Sequence, residues 1–153
     1  LPQIPYIIDG DVKLSQSLAI LRYLGRKYAL EGSNETEKNR IAVLEQQVAD
    51  LGAALSKLTF AKKETITPEV KAEFVTGLQV QLIALNKFLG SNWVSGSSST
   101  SYVDFYLYEY LHKVDTVELT KGNVQKYPNL AKFLTKVEAL PKISAYLAEI
   151  NAK

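Results

Sequence analysis

Two polar residues at the start of a predicted helix are the first candidates for chemistry in this sequence. Gln16 and Ser17 directly precede a run whose apolar residues, from Ala19 and Ile20 onward, recur at helical spacing. Small polar side chains at this position most often cap the helix. The first amides of a helix have no intrahelical partner, however, and they also suit a carboxylate. The residues alone leave both capping and anion binding open, with capping the commoner case.

The other candidate residues are expected, from the sequence alone, to have structural roles. Asp50 falls in a long predicted helix, where an acidic residue usually lies on a solvated face. His112, the only histidine, is expected to be a partly exposed structural residue, and Trp93 is expected to anchor the core or an interface. One histidine and no cysteine exclude a histidine cluster, a thiolate metal site and a disulfide scaffold. Thiol chemistry would therefore need a thiol brought by the ligand.

A hairpin leads into the helix that carries Ser17. Residues 6–8 form a short apolar run, residues 9–11 have turn chemistry with a glycine able to take positive φ, and residues 12–14 predict a returning strand. Residues 31–34 form a polar linker in which Gly32 is expected to stop the helix. Everything after the linker is predicted to be helical.

The helical part begins with a long helix over residues 35–61. A bundle helix is favoured over a coiled coil because the apolar repeat stops after three heptads; its stripe comprises Ile41, Leu44, Val48, Leu51, Leu55 and Leu58. A second helix is expected from Thr67-Pro68 to Gly90. Ser101 and Asp104 have capping-box spacing at the start of a third helix. Pro128 and Pro141 predict two last helices, whose inward residues are expected to include Leu130, Phe133, Leu134 and Val137, then Ile143, Tyr146, Leu147 and Ile150.

Composition limits the function classes. The chain has 153 residues, 46% of them apolar and 22% charged, which is typical of a globular domain. The net charge of +2 with scattered lysines predicts no nucleic-acid partner, and no apolar stretch is long enough to predict a membrane span. The cytosol is the expected location. Because the chain starts at Leu1 and lacks methionine, the sequence is expected to begin inside a longer polypeptide.

The opening stretch resembles one enzyme family. The residues that carry the resemblance are Ile4-Pro5-Tyr6, Ile8-Asp9-Gly10, Gln16-Ser17, Ala19-Ile20 and Arg22-Tyr23. They are similar to the second half of the thioredoxin-like domain of cytosolic glutathione transferases. The step from Pro5 to Gln16 looks most like the Mu class, with the Sigma class second. The resemblance implies a mostly α fold with a partial thioredoxin-like ββα fragment over residues 1–30, a linker over 31–34 and an all-helical domain over 35–153.

The resemblance also implies a glutathione site. Pro5 would be cis, and the backbone of Ile4 would pair with the cysteinyl unit of glutathione. Gln16 and Ser17, with the helix amides, would receive the γ-glutamyl end. Asp50 would reach across a homodimer, whose long helices lie near the interface, to the partner's glutathione. Phe60 stands where several relatives place a tyrosine facing the electrophile, so this departure puts substrate specificity in doubt.

The resemblance further implies an activity, the conjugation of glutathione to small hydrophobic electrophiles for detoxification. Glutathione would be the co-substrate, with no other cofactor and no metal. Mu-like enzymes stabilise the thiolate with a tyrosine on the first strand, which would precede Leu1. About a third of a typical subunit would then be missing, this chain would hold no catalytic residue, and alone it would be inactive.

Two alternatives to the transferase interpretation stay open on the sequence. One is a non-catalytic, transferase-derived module that docks on a partner through its helices and an exposed strand edge. The other, weaker alternative is a free-standing helical interaction domain unrelated to thiols.

Overall fold

The computed structural model of this chain describes residues 3–61 and 65–152. A two-stranded antiparallel sheet comes first, and six α-helices follow it within those residues. The predicted mostly α architecture with a ββα start is confirmed. The elements are β1 (Tyr6–Asp9), β2 (Val12–Ser15), α1 (Ser17–Lys27), α2 (Glu35–Phe60), α3 (Pro68–Leu89), α4 (Tyr102–Thr116), α5 (Pro128–Glu138) and α6 (Pro141–Asn151), with a short 3-10 turn at Val124–Lys126 before α5.

The hairpin forms where the sequence places it. Asp9 pairs with Val12 across the turn, and Gly10 has a φ of 61°, in the left-handed region that glycine adopts without a steric cost. The Ile4–Pro5 peptide bond is cis, as the resemblance implied. The predicted helix stop at Gly32 is wrong, because α1 already ends at Lys27. There the Leu30 amide donates to the Gly25 carbonyl at 2.7 Å and closes the last turn.

The core lies between α2, α3, α4 and α5. The stripe predicted for α2 is buried apart from Leu58, which is half-buried, and it packs mainly against α4. The predicted capping box forms at the start of α4: the Ser101 amide donates to Asp104 Oδ2 at 2.6 Å, and the Val94 amide donates to the other carboxylate oxygen at 2.8 Å. Asp104 therefore ties the preceding loop to the core helix.

The last helix differs from expectation. The inward residues of α5 are buried as predicted, but on α6 Tyr146 is 59% exposed and Ile150 is 44% exposed. The prediction of a buried stripe on α6 is therefore wrong for these two residues. The reason is that α6 packs chiefly against α5, and one neighbour covers only a narrow strip of a helix.

None of the described helices combines the length and the apolar character needed to cross a membrane.

Candidate functional site

The hairpin brings the segment around Ile4 next to the start of α1. The Gln16 side-chain amide donates to the side chain of Gln3, which joins the residue before Ile4 to the residue before the helix. The Ile4 side chain is 92% exposed. Its backbone amide and carbonyl make no hydrogen bond to another described residue. Ile4 therefore offers a free backbone edge beside the helix start.

The start of α1 has an unusual backbone and no side-chain cap. Gln16, the N-cap residue, has a φ of 74°, a left-handed conformation that is uncommon and costly for a residue other than glycine. Its side chain does not bond the helix amides. Strain of this kind concentrates at ligand-binding sites, where the surrounding structure compensates for it.

Ser17 does not act as a helix cap. It is the first residue of α1, its side chain is exposed, and its hydroxyl has no hydrogen-bond partner among the described residues. The first backbone hydrogen bond of the helix runs from the Ile20 amide to the Gln16 carbonyl at 3.0 Å. The amides before Ile20 and the Ser17 hydroxyl are therefore available together to an anion.

An open groove runs along the hairpin from Ile4 towards Ser15. Its volume is about 610 Å³, and exposed apolar side chains form much of it: Tyr6 and Ile8 are each 64% exposed. The groove gives the helix start an apolar neighbour rather than a polar one.

Asp9 fastens the hairpin to α1. The Tyr23 hydroxyl donates to Asp9 Oδ2 at 2.8 Å, and the Lys27 ammonium bonds the same oxygen. The Lys27 and Tyr23 hydrogen bonds lower the pKa of Asp9. Since both partners lie on α1, the hairpin and the helix start are held in one arrangement.

A second cluster fastens α1 to the helical bundle. Glu45 on α2 is 2% exposed, and its carboxylate accepts hydrogen bonds from Arg22 of α1, with Nε at 2.9 and 3.1 Å, and from the Tyr102 hydroxyl of α4 at 2.6 Å. Gly25 allows this contact, because a Cβ there would meet the Tyr102 ring at 2.6 Å. The helix that carries Ser17 is thus positioned from the bundle.

The electrostatics of this cluster favour an ionised Glu45. Burial raises the pKa of Glu45, but the hydrogen bonds from Arg22 and Tyr102 outweigh it and leave the pKa below its ordinary value. Burial and the same contact raise the pKa of Tyr102, which keeps its hydroxyl protonated as a donor. The carboxylate is therefore charged at neutral pH and fully hydrogen-bonded.

The role of Glu45 was not predicted from the sequence. The signal was present, since Glu45 lies four residues after Ile41 and three before Val48, which places it on the buried face of α2. An acidic residue on an apolar face needs a basic or hydroxyl partner, and Arg22 lies within the opening motif.

No hydrogen bond or ion pair among the described residues joins Asp50 or Phe60 to the start of α1. Asp50 is exposed on α2 and is not among the residues that form the hairpin groove. Phe60, the last residue of α2, is 85% exposed. The structure thus brings together Ile4, Gln16 and Ser17 but not the other two predicted residues.

Two family models match this chain, one over the helical part and one over the hairpin and α1. The glutathione S-transferase C-terminal domain matches residues 49–149, and the glutathione S-transferase N-terminal domain matches residues 1–26. The chain belongs to the glutathione S-transferase family. The family predicted from the opening residues is therefore confirmed.

Relatives of the transferase chain include proteins named as Mu class. A glutathione S-transferase of Tyrophagus putrescentiae is 42% identical over 146 residues, which cover 95% of this chain and 65% of the relative. Glutathione S-transferase Mu 6 of Mus musculus is 40% identical over 147 residues, with 95% and 65% covered. The chain thus spans about two thirds of the length of these curated relatives.

Solved transferase structures share the fold. The crystal structure of the glutathione S-transferase Blo t 8 superposes with a TM-score of 0.86 at 28% identity, covering 97% of this chain and 69% of that one. The Pi-class glutathione S-transferase of Onchocerca volvulus gives a TM-score of 0.85 at 31% identity, covering 98% and 72%. The helical arrangement described above is thus that of the family.

Proposed function

We propose that this chain forms part of the glutathione site of a subunit that conjugates the glutathione thiolate to hydrophobic electrophiles. The observation that carries the proposal is the helix start, where the exposed Ser17 hydroxyl and the first α1 amides have no partner among the described residues. A carboxylate fits such a place because the amides donate to it and the positive end of the helix dipole attracts it.

The proposed binding mode assigns each end of glutathione to a different group. The γ-glutamyl carboxylate meets Ser17 and the helix amides, with Gln16 beside them. The cysteinyl backbone pairs in strand fashion with the free amide and carbonyl of Ile4, which lies next to Gln16 through Gln3. These contacts orient the glutathione peptide. The thiol has to be activated by a group other than Ile4, Gln16, Ser17 and the helix amides.

Activation requires a donor to the thiolate. A free thiol has a pKa near 8.5 and is only a few per cent ionised at pH 7, so a hydrogen bond that favours the anion raises the reactive fraction. None of the residues assigned to glutathione supplies such a donor to sulfur. From the resemblance to Mu-like enzymes we infer that the donor is a tyrosine on a strand that precedes Leu1, and that this chain by itself does not catalyse the reaction.

An activity assay tests the proposal. The natural gene product should conjugate glutathione to a general aromatic electrophile, whereas the 153-residue chain should not exceed the uncatalysed rate. Turnover by the chain alone would show that the donor was misplaced. Absence of turnover in the natural gene product, with glutathione still bound, would favour the non-catalytic module.

The proposed assembly is a homodimer with α2 near its twofold axis, located in the cytosol. Small residues from Gly52 to Ala54 on α2 support close approach of a second helix, and one buried residue, Leu51, separates them from the exposed Asp50. The proposed subunit divides into a glutathione-binding part over residues 1–30 and a helical part from residue 35. Light scattering of the natural gene product at micromolar concentration should give the mass of two subunits. The mass of one subunit would contradict the proposed dimer.

Asp50→Asn should weaken glutathione binding by up to about fivefold, because Asp50 is proposed to meet the γ-glutamyl ammonium of the partner's glutathione across a partly solvated gap. Equilibrium binding of glutathione to the natural gene product measures this change.

Mixed dimers provide the control for the trans contact of Asp50. In a dimer of one Ser17→Ala subunit and one Asp50→Asn subunit, a trans contact puts both defects in one site and leaves the other with wild-type affinity. A contact within one subunit instead gives two singly weakened sites, and that result would contradict the proposed role.

Phe60→Tyr should leave glutathione affinity unchanged and alter only turnover of the electrophile. The Phe60 ring is 85% exposed, so the added hydroxyl costs no burial and the melting temperature should not move. Steady-state kinetics that vary each substrate separately will distinguish the two effects. A changed affinity for glutathione would show that Phe60 does not face the electrophile.

A further inference from the structure

A cleft between α2, α3 and α4 is lined by none of the residues assigned to glutathione. Its volume is about 230 Å³, and its walls are mostly apolar, with Leu51 of α2 and Phe74 and Leu78 of α3. Two polar side chains, Gln81 and Tyr110, also line it. The cleft therefore combines an apolar body with a small number of polar groups, which is the usual composition of a small-molecule site.

Tyr110 gives the cleft an unused hydrogen-bonding group. Its side chain is 5% exposed, and its hydroxyl makes no hydrogen bond to any described residue. No fully enclosed side-chain nitrogen or oxygen in the described part of the chain lacks a partner, so this hydroxyl is reached from outside. Tyr110 is also one of the residues that line the cleft, which gives the hydroxyl a route to a bound molecule.

The neighbouring tyrosines on α4 show how Tyr110 differs. The Tyr108 hydroxyl donates to Glu138 of α5 at 3.2 Å and so has a protein partner. Tyr106 faces Gly52 of α2, outside the cleft walls. Of these three tyrosines, Tyr110 is the one that lines the cleft.

We propose that this cleft binds a small apolar molecule, about the size of one substituted aromatic ring, whose hydrogen-bond acceptor meets the Tyr110 hydroxyl. The size follows from the volume, because an engineered apolar cavity of about 150 Å³ takes up benzene. The site goes beyond the proposed conjugation reaction, since its walls include neither the glutathione contacts nor Phe60.

The protonation state of Tyr110 selects an acceptor. Burial raises the pKa of Tyr110 to about 12, so the hydroxyl keeps its proton at neutral pH. A ligand carbonyl or ether oxygen satisfies that donor, whereas an apolar ligand leaves it unpaired at a cost. The other polar wall residue, Gln81, accepts a hydrogen bond from the side-chain amide of Gln47 on α2 at 3.2 Å.

The helix arrangement and a glycine leave room for the cleft. The main backbone contacts of α2 are with α4, and those of α3 are with α5, so neither helix has the other as its main neighbour. Gly77 adds room on α3, because a Cβ built there meets nothing within 4 Å. A Cβ at Gly77 therefore fits without a clash, and because Gly77 lines the cleft, a larger side chain there is expected to narrow it.

Two probes of similar shape test the site in the full chain. Acetophenone carries a carbonyl acceptor and ethylbenzene does not. Titration of each probe, followed by backbone amide chemical shifts, should give saturable changes around Leu51, Gly77 and Tyr110. Tyr110→Phe should weaken acetophenone about five- to tenfold and change ethylbenzene less than twofold.

Matched variants separate the cleft from general effects. Gly77→Leu should abolish binding of both probes while the amide spectrum stays that of a folded protein, and Gly77→Ala should weaken binding less. Tyr108→Phe, on the same helix but outside the cleft, should leave both affinities unchanged. The proposal is overturned if neither probe gives saturable shifts at these residues, which would mean that the cleft holds only water, or if Tyr110→Phe affects the two probes equally.

Discussion

Replacing Ser17 by alanine is expected to lower glutathione affinity ten- to a hundredfold in the natural gene product. The Ser17 hydroxyl is exposed at the first position of α1 and has no partner among the described residues. It is therefore free to donate a hydrogen bond to a bound carboxylate. A hydrogen bond to a charged group contributes about 1.5–3 kcal/mol, which corresponds to that loss. Isothermal titration calorimetry with glutathione measures it.

Stability serves as the control for Ser17. Because the Ser17 side chain does not cap α1, Ser17→Ala should leave the unfolding midpoint in place. Ser98→Ala, at an exposed serine in the loop before α4, should change neither quantity. Unchanged glutathione affinity together with a lower melting temperature would show that Ser17 serves the helix rather than the ligand.

Replacing Glu45 by alanine is expected to cost about 2–3 kcal/mol of folding free energy. The change leaves the buried Tyr102 hydroxyl without its acceptor and removes the carboxylate that holds Arg22. A broken buried ion pair can cost more, but the Arg22 side chain is 48% exposed and water replaces part of its interaction. Urea unfolding of the 153-residue chain measures the change.

A surface pair on the same helix provides the comparison for Glu45. Glu35 lies near Lys38 with its side chain 84% exposed, so Glu35→Ala should cost less than about 0.5 kcal/mol. Similar costs for the two variants would contradict the positioning role of Glu45.

The Glu45 cluster also predicts a dependence of stability on pH. The folded-state pKa of Glu45 lies below its ordinary value of 4.5, so the folded state binds fewer protons than the unfolded state in that range. The contribution is present above about pH 4.5 and is lost as the pH falls through the folded pKa. Glu45→Gln should reduce the loss of folding free energy at acid pH. An unchanged loss would show that other carboxylates cause it.

Local signals in the sequence predicted much of the fold. The long helix was found because apolar residues at steps of three and four lie on one face, and that face is buried. Asp104 and the helix-start prolines Pro128 and Pro141 act at the ends of their own helices, so their roles could be inferred without the rest of the fold.

Contacts between distant segments could not be predicted in the same way. The apolar residues Tyr146 and Ile150 have helical spacing, but whether a second neighbour covers them depends on the packing of the whole bundle. Glu45 joins residues 23 and 57 positions away, a separation that no local pattern reports.

The candidate site contains both residues that local signals predict and residues that depend on distant contacts. Ile4, Gln16 and Ser17 belong to one hairpin and helix start, and the structure brings them together. Asp50 and Phe60 depend on how a second subunit and a second substrate approach, and these two roles stay predictions.

A structure of the natural gene product with glutathione tests the central claim most directly. We predict a γ-glutamyl carboxylate oxygen within about 3.2 Å of Ser17 Oγ and of the first α1 amides, with the cysteinyl backbone paired to Ile4. A carboxylate bound elsewhere, with the Ser17 hydroxyl still facing solvent, would contradict it.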